Sequence, residues 1–208
     1  DVLKDTLYTA SKRHVLRRSA QSALFCLLSH LVKMLAPILS FTMEEVWRSF
    51  AIERAVPSVH ASLWEVPSKT PRTSRVVQDW DEIRKIRDVL MPFLERKRER
   101  KEIGSSLDAK VYLSAEEPEL NRILRENLTE LRRVFIVSQV YPLEGVRNEV
   151  HEVDYPSGGT SAKIRFAVEK ADGTKCERCW NYSVQVGRAK DDPTLCERCV
   201  EALQDSSI

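Results

Sequence analysis

Four of the chain's five cysteines lie in KCERCWNYSVQVGRAKDDPTLCERC, residues 175–199, as Cys176-x2-Cys179 and Cys196-x2-Cys199 separated by sixteen residues. Two residues between thiolates let one tight turn aim both sulfurs at a common point, and two such knuckles supply four soft ligands to a tetrahedral ion. The spacing predicts one structural zinc held by Cys176, Cys179, Cys196 and Cys199. Four protein thiolates leave no open position for water, so the expected ion organises the fold and performs no catalysis. About 25 residues cannot bury enough apolar surface to offset their own ordering entropy, whereas structural zinc contributes roughly 10–16 kcal/mol of apparent binding energy. The competing chemistries are two disulfides and a redox-active Cys-x-x-Cys. No secretory signal and no thioredoxin-like βαβ context accompany the motif, and Cys26 sits alone among leucines as a core-type thiol. A reducing compartment is expected.

Trp180 follows the first knuckle directly, with Asn181 and Tyr182 behind it. In so small a module the indole either leans on a neighbouring sheet or stands outward, where stacking on an unpaired base contributes about 1–3 kcal/mol. Five basic and four acidic residues occupy positions 174–200. Zinc with four thiolates adds about −2, so the module has no diffuse pull on phosphate and any contact must come from particular groups such as Arg178 and Trp180.

The chain's 33 basic and 31 acidic residues leave a net charge of +2, so affinity for a polyanion depends on local placement. Two runs carry it: Lys12, Arg13, Arg17 and Arg18 with His14, and Arg96, Lys97, Arg98, Arg100 and Lys101 within ERKRERKE. Each alone is equally a solvated helical face, and Glu95, Glu99 and Glu102 can pair with the second run along the helix. No Gly-rich phosphate loop, H-E-x-x-H or G-x-S-x-G is present, and no apolar run approaches the length of a bilayer span.

The elements that must position these residues follow from periodicity. Ala20, Ala23, Leu24, Leu27, Leu28, Leu31, Val32 and Leu35 draw one stripe on a helix that Pro37 stops. Thr42 and Glu45 have the spacing of a capping box, predicting a short helix with Val46, Trp47 and Phe50. Pro57, Pro67 and Pro71 mark a boundary. A helix from about Ser74 places Val76, Trp80, Ile83, Ile86, Leu90 and Leu94 on one side, and Pro92 should kink or break it. Alternation predicts a strand over 107–113, a helix over about 120–131, a buried strand over Val134–Val140, a loop over 142–162 and a strand through Ile164, Phe166 and Val168. Asp172-Gly173 then turns the chain into the cysteine segment. The expected architecture is mainly α with a small α+β unit: an incomplete helical bundle over 1–66, a linker over 67–73, an α+β junction over 74–172 and a zinc ribbon over 173–208.

The stretches DVLKDTLYT, RRSAQSAL, LAPILSFTMEEVW, IGSSLDAKVYL, FIVSQV and KCERCWNYSVQVG occur in the order and approximate spacing of the C-terminal region of bacterial-type isoleucyl-tRNA synthetase. The resemblance spans nearly the whole chain. LAPILSFTMEEVW resembles the anticodon-binding bundle shared with the valyl and leucyl enzymes, and the terminal Cys-x-x-Cys-Trp knuckle points to the isoleucyl member. What it implies is a monomeric parent enzyme, cytoplasmic in a bacterium or in an organellar matrix, that joins isoleucine to tRNA(Ile) with ATP. The parent's own catalytic and editing domains would be partners of this region, because the HIGH and KMSKS signatures have no counterpart and the chain reads as a fragment starting mid-helix. The bundle, junction and zinc module would together grip the anticodon stem and loop. Carried over by motif, Arg178 and Trp180 would contact anticodon bases and Arg17 and Arg18 would lie on the tRNA side; Arg98 and Lys101 are the candidates from the second basic run. The alternatives are the zinc-finger region of a DNA-repair glycosylase, whose Pro-Glu start is not matched by Asp1-Val2, and a zinc-ribbon module for protein partners.

Overall fold

The computed structural model describes residues 2–49, 56–64, 74–145, 149–157 and 160–205. The chain divides into two compact units, one of Lys12–Pro71 and one of Asp1–Ser11 with Arg72–Ile208. In sequence order the first is therefore inserted between two stretches of the second. Helix α1 (Val2–Thr9), expected at the head of the bundle, groups with the later residues and packs against α6 (Leu128–Phe135).

The inserted unit contains α2 (Val15–Leu35) and α3 (Ser40–Ser49), followed by a single turn of 3-10 helix at Val59–Ala61. Its core is Val32, Ala36, Met43, Trp47 and Val59. The expected stripe on α2 is only partly buried: Ala20 and Val32 are covered, whereas Leu24, Leu27, Leu28 and Leu31 remain exposed. Thr42 does not cap α3. That helix starts earlier, at Ser40, whose hydroxyl donates to Ala36 O at 3.0 Å, so the T-x-x-E spacing lies inside the helix. Glu44 instead does the joining: its carboxylate accepts from Ser58 Oγ at 2.9 Å and from Val59 N at 3.0 Å, which holds the 3-10 turn against α3. Phe50, Pro67 and Pro71 lie outside the described residues.

In the other unit a four-stranded sheet, in the order β2-β1-β4-β3, is backed by α4, α5 and α6. Its strands are β1 (Ala109–Ala115), β2 (Gln139–Pro142), β3 (His151–Ser157) and β4 (Thr160–Lys170); helix α4 (Ser74–Glu99) precedes β1 in sequence, and α5 (Pro118–Glu126) and α6 lie between β1 and β2. β1 and β2 run parallel, joined by the α5–α6 crossover that parallel pairing requires, while β4 is antiparallel to both β1 and β3. Register sets Val111 opposite Val168 and Leu113 opposite Phe166, which places one continuous apolar sheet face beneath Ile83, Ile86, Leu90 and Leu94 of α4.

Pro92 does not break α4, which runs from Ser74 to Glu99. The proline ring is exposed while Leu90 and Leu94 on either side are buried. Packing along the whole stripe outweighs the roughly 3 kcal/mol that an interior proline costs. The predicted helix over 120–131 is two helices separated at Asn127, and the predicted strand over Val134–Val140 is mostly something else. Val134 and Phe135 finish α6, Ile136 turns the chain at φ 58°, and β2 begins only at Gln139. The expected loop over 142–162 contains β3 and the start of β4 as a hairpin. No described helix is long and apolar enough to cross a membrane.

Candidate metal centre and adjoining cleft

Gly173 admits the chain to the cysteine segment at φ 88°, and a Cβ there would meet the Ser183 backbone at 2.3 Å, so this turn requires glycine. The strands β5 (Thr174–Lys175) and β6 (Tyr182–Ser183) then pair across the first knuckle. Trp180 N donates to Cys176 O and Cys176 N to Asn181 O, both at 2.9 Å. The second knuckle opens α7 (Glu197–Gln204), where Cys199 N donates to Cys196 O at 2.9 Å. Glu177 N donates to Thr194 O at 3.2 Å, and Cys196 N to Cys176 Sγ at 3.3 Å, fastening one knuckle to the other. The result brings Cys176, Cys179, Cys196 and Cys199, all buried, to one point with their sulfurs within 4.8 Å of one another.

Such a cluster is a candidate metal site, and its proton affinities say why a cation belongs there. Hydrogen bonds from the Cys196 and Cys199 thiols hold the Cys179 thiol far below its ordinary value. Those same bonds to Cys179 push Cys196 up to about 11 and Cys199 higher still. Several thiolates cannot share so small a volume without a positive ion to balance them. Cys179 Sγ and Cys196 Sγ lie 3.6 Å apart, in hydrogen-bond contact and not joined as a disulfide.

The module is tied to its surroundings by three arginine or hydroxyl contacts. Arg178 Nη1 donates to Thr9 O at 2.6 Å and to Cys199 Sγ at 3.5 Å, linking α1 to a cysteine sulfur. Arg198, between the last two cysteines, forms a two-pronged ion pair with Asp5 of α1, with Nη2 to Oδ1 at 2.7 Å. The buried Ser138 accepts from Tyr182 N at 2.7 Å and donates to Leu107 O, which joins β6 to the sheet.

Between α1, the end of α6 and the first knuckle lies a cleft of about 560 Å³, lined by Tyr8, Arg132, Ile136, Arg178 and Trp180 among others. Trp180 stands outward into it, 62% exposed, and Tyr8 is 77% exposed. The knuckle's hydrogen bonds fix Trp180 at φ 64°. Lys175 Nζ lies 6.0 Å from the indole centroid, within cation–π range. Three described non-glycine residues have positive φ, and two of them, Ile136 and Trp180, line this one cleft. A β-branched residue or a tryptophan in the left-handed region is strained, and such strain concentrates where function over-determines the backbone.

The other sequence candidates are dispersed. Arg17 is half-buried and Arg18 exposed in the first turns of α2, in the inserted unit. Arg98 and Lys101 are exposed at the end of α4 beside a separate shallow cleft with Glu95, Glu99, Ile103 and Gly104. There Arg98 pairs with Glu95 at 2.7 Å. Lys101 takes φ 58° and closes the helix, with Glu102 N donating to Lys97 O at 3.0 Å. Lys97, from the same run, is buried and paired with Glu102 and Glu149, each at 2.6 Å, and those hydrogen bonds raise its pKa. The acids of the second run thus neutralise much of it. Asp5, Tyr8, Arg132 and Ile136 also line the Trp180 cleft, and none belongs to a motif in the sequence. Arg132 and Arg133 close an amphipathic helix, where two cations are expected for the helix dipole alone, so their types gave no separate signal.

Residues 1–113 match the family described as the anticodon-binding domain of tRNA ligase, and residues 173–202 match a zinc finger found in FPG and IleRS. Isoleucine–tRNA ligases are similar over nearly the whole chain. That of Gloeobacter violaceus is 39% identical over 203 residues, which are 98% of this chain and 20% of the relative. Those of Crocosphaera subtropica and Geobacter sulfurreducens are each 38% identical, over 98% of this chain and 22% and 21% of theirs. The chain spans about a fifth of the length of these curated relatives. With more than half of its residues matched by that first model, the chain belongs to the family of anticodon-binding domains of tRNA ligases.

Proposed function

We propose that the chain binds the anticodon stem and loop of tRNA(Ile) as the RNA-reading region of an isoleucine–tRNA ligase, with one structural zinc on Cys176, Cys179, Cys196 and Cys199. Zinc fits the donor set. Tetrahedral Zn–S bonds of about 2.3 Å place sulfurs about 3.8 Å apart, close to the 3.6 Å between Cys179 and Cys196. The ion's chemistry is to clamp the two knuckles and to balance thiolates that otherwise suppress one another's ionisation. The isoleucine-activating chemistry and the editing belong to other domains of the whole enzyme, a monomer of the bacterial cytoplasm or of an organellar matrix.

The observation that carries RNA binding is Trp180, held out of the core in a strained conformation by hydrogen bonds on the metal knuckle. An indole so placed is a platform for an unstacked loop base, and single-stranded loops are where proteins read RNA sequence. Arg178 keeps the platform in place through Thr9 and Cys199 and retains guanidinium N–H groups for a base edge or phosphate. Arg17, Arg18, Arg98 and Lys101 contribute at most individual phosphate contacts. The DNA-repair reading is supported by the zinc finger alone, whereas the anticodon-binding match covers residues 1–113.

Titration of fluorescently labelled tRNA(Ile), a tRNA with another anticodon and damaged duplex DNA tests this. The expected outcome is preference for tRNA(Ile), with Trp180→Ala weakening it about 5- to 150-fold, as loss of one base stack implies. Equal affinity for all three nucleic acids, or an unchanged affinity in the variant, would overturn it.

A further inference from the structure

We infer that Arg132 seats a phosphate lying between two nucleotides, one base occupying the Trp180 cleft and the next a second cleft on the other side of this arginine. The inference rests on the RNA-binding reading and extends it to a residue and a cavity that the Cys-x-x-Cys-Trp motif does not contain.

The second cleft, about 410 Å³, lies between α6, β2 and the metal module, and its lining includes Tyr141, Tyr182, Val184 and Arg132. Tyr141 is 41% and Val184 57% exposed, so apolar and aromatic surface is available there as it is beside Trp180. Both clefts fall within the size range of small-molecule sites, and a nucleobase fits either. Arg132 lines both.

Among the cations lining these clefts, Arg132 differs from the rest in its bonding. Arg178 is engaged by Thr9 and Cys199, Arg198 by Asp5, Arg133 by Glu130, and Lys4 also has a partner. Among the described residues the Arg132 guanidinium makes no hydrogen bond and no ion pair. It is half-buried, with the Arg198 and Arg133 cations and the Asp5 carboxylate as the neighbouring charges. A half-buried guanidinium with no protein acceptor keeps its N–H groups open to a ligand, and phosphate oxygens offer the two-pronged acceptor that its planar fork matches. Successive bases splayed to either side of the backbone, with the linking phosphate on this arginine, satisfy both clefts and the unpaired cation at once.

The test uses the whole 208-residue chain with zinc bound and a synthetic anticodon stem-loop. Arg132→Gln should weaken binding about tenfold and reduce the salt dependence by about 0.7 in the log–log slope, the share of one single-strand phosphate. Arg132→Lys should recover part of the affinity, and both variants should keep the wild-type zinc content. Methylphosphonate placed at each loop linkage in turn should weaken the wild type at one linkage, and that linkage should make no difference to Arg132→Gln. The linkage scan on the wild type also reads the site if the glutamine variant fails to fold. A wild type indifferent to every neutralised loop linkage, or an Arg132→Gln with unchanged affinity and slope, overturns the phosphate seat. Should Trp180→Ala still weaken binding in that case, the RNA reading survives without Arg132. Absence of any stem-loop binding by the wild type overturns both.

Discussion

The sheet unit and the inserted unit each carry a long helix with an apolar stripe and bury that stripe to different degrees. In the first, α4 lays Ile83, Ile86, Leu90 and Leu94 on a sheet face, and each is no more than 3% exposed. In the second, α2 has the stronger run of leucines, yet Leu24, Leu27, Leu28 and Leu31 remain between 41% and 61% exposed. Periodicity identifies the face a helix would bury, and only a second surface of matching shape removes it from water. The sheet unit is in addition held by the cysteine cluster and by Arg178 and Arg198 on α1, whereas the inserted unit relies on five side chains and the Glu44 contacts.

Metal removal should separate the two regions most strongly. Chelation, or Cys196→Ser, should unfold residues 173–205 and release α1, while α2 and α3 keep their helicity. Zinc analysis together with residue-resolved hydrogen exchange measures this, and simultaneous loss of protection in α2 would show that the units do not fold independently.

Truncation inside each region sharpens the contrast next. Leu131, fully buried in the sheet unit, should cost about 2–5 kcal/mol on replacement by alanine, and exposed Leu27 no more than about 0.5 kcal/mol. Urea midpoints at constant m give both values. A Leu27→Ala cost matching that of Leu131→Ala would mean that α2 is covered in solution.

The smallest effect is a pH dependence confined to the inserted unit. Hydrogen bonds from Ser58 hold the Glu44 carboxyl below its ordinary value, with Val59 and Arg48 adding to the shift. A depressed folded-state pKa stabilises above the unfolded value and is lost as pH falls through the folded one. Acid should therefore loosen the 59–61 turn from α3, and Glu44→Gln should remove that acid sensitivity. Identical acid profiles for the two proteins, followed by hydrogen exchange at Val59, would rule this out.

Much of the cysteine site was legible because two-residue spacing between thiolates has few structural uses, and β4 because Ile164, Phe166 and Val168 alternate with charged residues. VFIVSQV misled because a short apolar run rich in β-branched residues suits a strand and the last turn of a buried helix equally. What decided it was Ile136, whose left-handed backbone no propensity predicts. HEVDYPS reads as loop because of its proline and acids, yet it is a strand because pairing with β4 satisfies its backbone. Arg132 was illegible because its distinction is the absence of a partner, which only the folded arrangement reveals.

The contacts of α1 with Arg178 and Arg198 set an order on synthesis. Asp5 and Arg198 are 193 positions apart, and the whole inserted unit is translated between them. At a ribosomal pace of about 5–20 residues per second, the first helix waits roughly ten to forty seconds for its arginines. Residues 12–71 can collapse during that interval, so a message cut short before the codon for Arg178 would leave them folded and α1 without its anchors.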